Sequence, residues 1–184
     1  TRVAFKSVVA AKAAALLAWS AADKGDRVGG LVFDERGMAE YRPAARTRGL
    51  LPLLNGLAGF ADRADATSRG ATVGDVAVSL SAAVAHLTQL VRPGSLVFLI
   101  SDFASLGEAD GAWVAHLASA SELVFIQVSD TLEQAPPPAA RYPVVDGDTQ
   151  ALIDTAGAGL REAWVARFAA RERALERLCR QYQA

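Results

Sequence analysis

The chain has 184 residues and a formal net charge of −1. That length suits one domain with a core able to stand alone, and the near-neutral charge argues against a binder of nucleic acid or of an acidic membrane. A single cysteine, Cys179, excludes an internal disulfide framework and a cysteine-built zinc site, and it fits a reducing, cytoplasmic compartment.

The chain starts at Thr1 without a methionine and runs straight into a helical pattern, which reads as a piece of a longer protein. Residues 3–23 set Phe5, Val8, Val9, Leu16 and Trp19 among many alanines, predicting a helix packed closely against a neighbour. Arg2, Lys6 and Lys12 interrupt this stretch, so neither a signal peptide nor a membrane span is predicted. A membrane anchor elsewhere in the full-length protein is compatible with this. Gly25 ends the helix. Residues 27–33 read as a strand, and Met38 to Arg42 as a short antiparallel return after the Asp34-Glu35-Arg36-Gly37 turn. Arg46 to Phe60 reads as a helix with a weak middle at Pro52 and Gly56, followed by a polar loop over residues 61–72. Asp75 is a good cap for a helix from Val76 to Val91.

Residues 96–103 read Leu-Val-Phe-Leu-Ile-Ser-Asp-Phe. The apolar run describes a strand buried on both faces. It ends on Ser101 and Asp102, and in open parallel sheets ligands bind just beyond the carboxyl ends of strands. A hydroxyl and a carboxylate are hard oxygen ligands suited to Mg²⁺, Ca²⁺ or Mn²⁺; the plainer reading is that the pair caps the next helix. A helix over Asp110 to Ala120, a strand over Glu122 to Val128 and a proline-rich surface connection follow. Tyr142 to Val145 and Ala151 to Asp154 flank Asp146-Gly147, a hairpin signal. Residues 159–182 form a long amphipathic helix, with Leu160, Trp164, Phe168, Leu175, Leu178 and Tyr182 near one face and six arginines and three glutamates on the other. Strands alternating with helices predict one α/β domain over residues 1–184, with a mostly parallel sheet covered on both faces.

Three runs carry a resemblance: residues 25–34 (Gly-Asp-Arg-Val-Gly-Gly-Leu-Val-Phe-Asp), residues 96–103, and residues 142–147 (Tyr-Pro-Val-Val-Asp-Gly) with 152–155 (Leu-Ile-Asp-Thr). Together they resemble the von Willebrand factor A-like domain of bacterial proteins associated with MoxR-type AAA+ ATPases, catalogued as domain of unknown function 58. The resemblance implies a Rossmann-like three-layer sandwich with strand order 3-2-1-4-5-6. On this chain Val28 to Phe33, Met38 to Arg42, Leu96 to Ser101, Leu123 to Val128 and Tyr142 to Val145 would be its second to sixth strands, with the first missing. Loss of that central strand implies exposed strand edges and self-association through them.

The resemblance also implies a metal-ion-dependent adhesion site. Asp102, with Ser101 beside it, matches the aspartate after the fourth strand, and Thr72 is the nearest candidate for the loop threonine. The Asp-x-Ser-x-Ser part does not occur in this sequence. Mg²⁺ is therefore expected in the full-length protein and no tight site in this segment. The implied function is a non-enzymatic protein-interaction module working with a MoxR-type AAA+ ATPase, or a client protein, in assembly or activation of other proteins. The alternative is a metal-dependent hydrolase or phosphotransferase using Asp102. No phosphate-binding glycine loop or nucleophile elbow occurs. His86 and His116 read as mid-helix core or surface residues, and Asp34, Glu35, Asp146, Asp148 and Asp154 as turn residues.

Overall fold

The first helix, α1 (Lys6–Asp23), is fastened to the protein by its alanines. Ala11, Ala14, Ala15, Ala18, Ala21 and Ala22 pack into one cluster with Val28, Leu50, Leu53 and Leu57. Short side chains at a contact let helix axes approach closely. The helix ends in a Schellman motif: the Gly25 N–H donates to Ala22 O at 3.1 Å and the Asp26 N–H to Ala21 O at 3.0 Å. Gly25, at φ +90°, supplies the left-handed residue this motif needs.

The computed structural model describes residues 4–34, 37–67, 78–106, 111–146 and 149–184, with the side chains of residues 61–67, 146 and 149 left out. β1 (Arg27–Asp34) and β2 (Gly37–Ala45) form an antiparallel hairpin. α2 (Thr47–Thr67) lies against it and continues through Pro52 well past Phe60. Leu50, Leu53 and Leu57 bury one face of α2 on the hairpin, and that packing outweighs the local cost of Pro52. Gly49 is required at the start of α2, because a Cβ there would collide with the carbonyl oxygens of Ala44 and Val28.

α3 (Leu80–Leu90) starts at Ser79, whose hydroxyl accepts the Ala82 N–H at 3.1 Å. The expected cap, Asp75, lies outside the described residues. β3 (Ser95–Ser101), α4 (Gly111–Ala120) and β4 (Ser121–Gln127) form a parallel β-α-β unit paired in register from Ser95↔Ser121 to Ser101↔Gln127. α5 (Thr131–Gln134) is a single turn after β4. β5 (Arg141–Asp146) and β6 (Thr149–Asp154) form a second hairpin, and α6 (Ala158–Tyr182) closes the chain.

The strands form three separate two-stranded ladders, β1–β2, β3–β4 and β5–β6. This corrects the expected Rossmann-like sandwich with one mostly parallel sheet in the order 3-2-1-4-5-6. Each ladder joins neighbours in the chain, two by tight hairpins and one by a helical crossover. Among the described residues no strand bridges β1 and β3, and Tyr142 to Val145 pairs with β6 instead of extending β3–β4. Among the described residues the fold is mixed α/β with one parallel pair. The unpaired edges of β1 and β3 are of the kind that invites a further strand.

The core is divided in the same way. The larger cluster joins Leu80 and Val84 of α3, Val97 and Leu99 of β3, Phe103, Val114 and Leu117 of α4, Leu123 of β4 and Leu175 of α6. The smaller is the alanine-based cluster of α1, β1 and α2.

Candidate functional site

β3 ends in a tight polar turn. The Ser101 carbonyl accepts the Val128 N–H at 2.9 Å, the last rung beside β4. The Ser101 hydroxyl accepts the Phe103 N–H at 3.1 Å, and Asp102 Oδ1 accepts the Ala104 N–H at 3.0 Å. Phe103 then takes φ +52°. A non-glycine residue in this region costs about 1–2 kcal/mol. The cost is offset by its ring, which is wholly buried and meets Phe125 edge-on with centroids 5.5 Å apart. Side-chain capping and a buried aromatic together fix the direction of Asp102.

Its second oxygen, Oδ2, receives the Lys6 ammonium at 2.7 Å. Lys6 also pairs with Glu133, and Glu133 Oε2 accepts from Arg171 Nη2 at 2.5 Å. The result is an alternating chain, Asp102–Lys6–Glu133–Arg171, drawn from the end of β3, the first turn of α1, α5 and α6. Three local features hold it. Asp130 caps α5 by accepting the Leu132 N–H at 2.9 Å, Trp164 Nε1 ties α5 to α6 through Leu132 O at 2.8 Å, and the Arg171 guanidinium lies 4.9 Å from the centre of the Phe168 ring.

Burial opposes the charged form of Asp102. Hydrogen bonds from Lys6 and the Ala104 N–H, with the charges of Lys6 and Arg171, outweigh it and hold the carboxyl below its ordinary range. Burial likewise opposes the Lys6 ammonium, and Asp102 and Glu133 outweigh it, so its pKa is raised. The site is thus a set of fixed, mutually neutralising charges at neutral pH. Beside it, Ala4, Lys6 and Val9 of the α1 end face Val128 to Thr131 across a cleft of about 190 Å³.

Of the residues expected from sequence, Ser101 and Asp102 lie here and Thr72 lies outside the described residues. Both Asp102 oxygens are engaged by N–H donors. Among the described residues, no group of three His, Cys, Asp or Glu side chains could hold a metal ion. An ammonium stands at the carboxylate where a cation would be sought, and the Asp-x-Ser-x-Ser part of the site expected in the full-length protein is not in this sequence. His86 meets Glu40 at 3.2 Å, away from the site. Asp154 serves its turn by accepting the Ala156 N–H at 2.9 Å and pairs with Arg141 at 3.3 Å.

Lys6, Glu133 and Arg171 were not singled out from the sequence. For Arg171 a signal existed: it falls between Phe168 and Leu175 at helical spacing, on the buried stripe of α6. Arg161 also departs from a solvated face, donating to Pro137 O at 2.8 Å.

A family model described as "Protein of unknown function DUF58" matches residues 1–174. The chain belongs to the DUF58 family. No curated protein and no solved structure matches it. Among the described residues of this DUF58 chain, no helix is long and apolar enough to cross a membrane.

Proposed function

We propose that this DUF58 domain is a non-enzymatic protein-interaction module that recognises its partner at the polar end of β3. The observation that supports the reading is the Asp102–Lys6–Glu133–Arg171 chain. Its members come from four elements, and Asp102 and Lys6 remain about one-third exposed. A partner's carboxylate or cation can therefore exchange for an internal one without opening the core. By resemblance to von Willebrand factor A-like domains of MoxR-associated proteins, the partner is a MoxR-type AAA+ ATPase or a client it assembles or activates. Recognition runs through fixed charges, which favour specificity and rapid encounter.

The hydrolase or phosphotransferase reading has less support. Glu133, the second carboxylate near Asp102, shares the same ammonium and also holds Arg171. A carboxylate kept below its ordinary pKa is a weak general base.

The test is the affinity of the full-length protein for a MoxR-type ATPase, measured for wild type, Asp102→Ala and Lys6→Ala at low and moderate salt. Both variants are expected to lose about tenfold or more, with a weaker salt dependence. Unchanged binding by Asp102→Ala counts against the strand end as the recognition site.

A further inference from the structure

α1 is held to the protein in two different ways along its length. From Ala11 onward its alanines enter the smaller core cluster. Among the described residues, none of residues 5–10 belongs to either cluster, and Phe5 and Val9 are 45% and 44% exposed. The helix start is also poorly capped. Phe5, the residue before it, offers no side-chain acceptor, and the first turn carries no acidic residue. Its charge has the unfavourable sign, because Lys6 sets a cation at the positive end of the helix dipole. The first rung nevertheless forms, with the Val9 N–H donating to Phe5 O at 3.1 Å. Among the described residues, the polar contacts that lead from residues 5–10 to another element all belong to Lys6, through Asp102 and Glu133. On the side of Val128 to Thr131 a cleft intervenes, so apolar packing does not close the start of the helix there.

We infer that residues 5–10 are a strap over the strand end, hinged where the alanine packing begins at Ala11 and latched by the Lys6 ammonium. Closed, the strap forms one wall of the cleft through Lys6 and Val9. Released, it removes that wall and frees the Asp102 and Glu133 carboxylates together, while the rest of α1 stays in the smaller core. The device converts a change of charge at the strand end into a change of backbone conformation at the start of α1. It operates without a partner, so it stands or falls apart from the recognition proposed above. The sign of one substitution separates a latch from ordinary fraying of a helix end. Fraying is governed by capping and the dipole. In that case removing the Lys6 charge relieves an unfavourable interaction and firms the first turn, since Met and Lys have similar helix propensity. A latch demands the opposite: the same change loosens the turn.

The test is amide hydrogen exchange in the full-length protein, resolved residue by residue along α1 at low and moderate sodium chloride. Lys6→Met is expected to speed exchange at Val9, Ala10 and Ala11 about fivefold and to leave Ala14 to Ala22 unchanged. Asp102→Asn weakens the latch without touching α1, and is expected to speed the same three amides about twofold. Moderate salt is expected to speed them in the wild type and not in Lys6→Met. Slower or unchanged exchange at these amides in either variant, equal acceleration along the whole of α1, or the same salt effect in wild type and Lys6→Met would each overturn the inference.

Discussion

Lys6 Nζ lies 2.7 Å from Asp102 Oδ2, a contact that spans 96 positions of chain. Because Lys6 also holds Glu133, one ammonium joins the start of α1 to the end of β3 and to α5. The shared ammonium comes from the smaller core's first helix, whereas Asp102 follows β3, a strand of the larger core.

Lys6→Met keeps the aliphatic stem and removes the shared cation. Glu133 retains Arg171, whereas Asp102 keeps only the Ala104 N–H. A loss of about 1 kcal/mol is expected, since partly exposed pairs contribute little more. The urea midpoint should fall accordingly, and a midpoint equal to wild type would mean that the network contributes nothing to stability.

The pH dependence follows from the two shifts. Asp102 titrates below its ordinary 3.8 when folded, so its contribution is complete above that value and fades as pH falls through the folded pKa. Lys6 titrates above 10.5 when folded, so its contribution is complete below that value and fades as pH rises through the folded pKa. The stability difference between wild type and Asp102→Asn is expected to stay flat between these limits and to shrink beyond them. A difference that changes steeply near neutral pH would contradict this assignment.

Phe103 offers a test of backbone strain. Phe103→Ala removes the buried ring and keeps a Cβ at φ +52°; Phe103→Gly removes both. Each variant should lose about 3–5 kcal/mol through the cavity. The usual order of the two residues should invert, with the glycine variant more stable by about 1 kcal/mol. Thermal denaturation of both decides it, and a more stable alanine variant would show that the turn relaxes.

Much of the element order was legible because local signals agreed. The apolar run of β3 ending on Ser101-Asp102, the β5–β6 hairpin and the stripe of α6 form as elements, but β3 is not buried on both faces as expected: Val97 and Leu99 are buried while Leu96 and Phe98 on the other face are exposed. Sheet assembly was not legible, because it depends on which strands meet across long loops, and the expected single sheet is replaced by three ladders. At the site, Asp102 could be found because it interrupts an apolar strand. Lys6 looked only like a break in an apolar helix, and Glu133 sat in a segment with no assigned element. Their roles arise from contacts across 96 positions in one case and 38 in the other, which no local pattern encodes.

Thr155 is a buried polar residue, 1% exposed. Its hydroxyl donates to Pro138 O at 2.7 Å and accepts the Ala140 N–H at 3.1 Å, tying the proline-rich connection to the β5–β6 hairpin. Thr155→Val preserves shape but strands the Ala140 N–H, while Pro138 O keeps the Tyr142 hydroxyl at 3.0 Å, so a loss of about 1–2 kcal/mol is expected from urea unfolding. A neutral substitution would indicate that water replaces the hydroxyl.

For the protein of residues 1–184, calorimetric titration with Mg²⁺ or Mn²⁺ is expected to give no tight, stoichiometric binding, because Lys6 and the Ala104 N–H already engage Asp102. A sharp one-site isotherm lost in Asp102→Ala would reverse that conclusion.

Among the described residues the two core clusters share none, and β1 reaches both: Val32 packs into the smaller and its neighbour Phe33 against the larger. Alternation along one strand thus acts as an axle between two cooperative units. The α1–α2 half is expected to open and close as a foldon while the β3–α4–β4 half stays protected from solvent exchange. A ligand that displaces Lys6 from Asp102 would then act on the equilibrium between these units as well as on a surface.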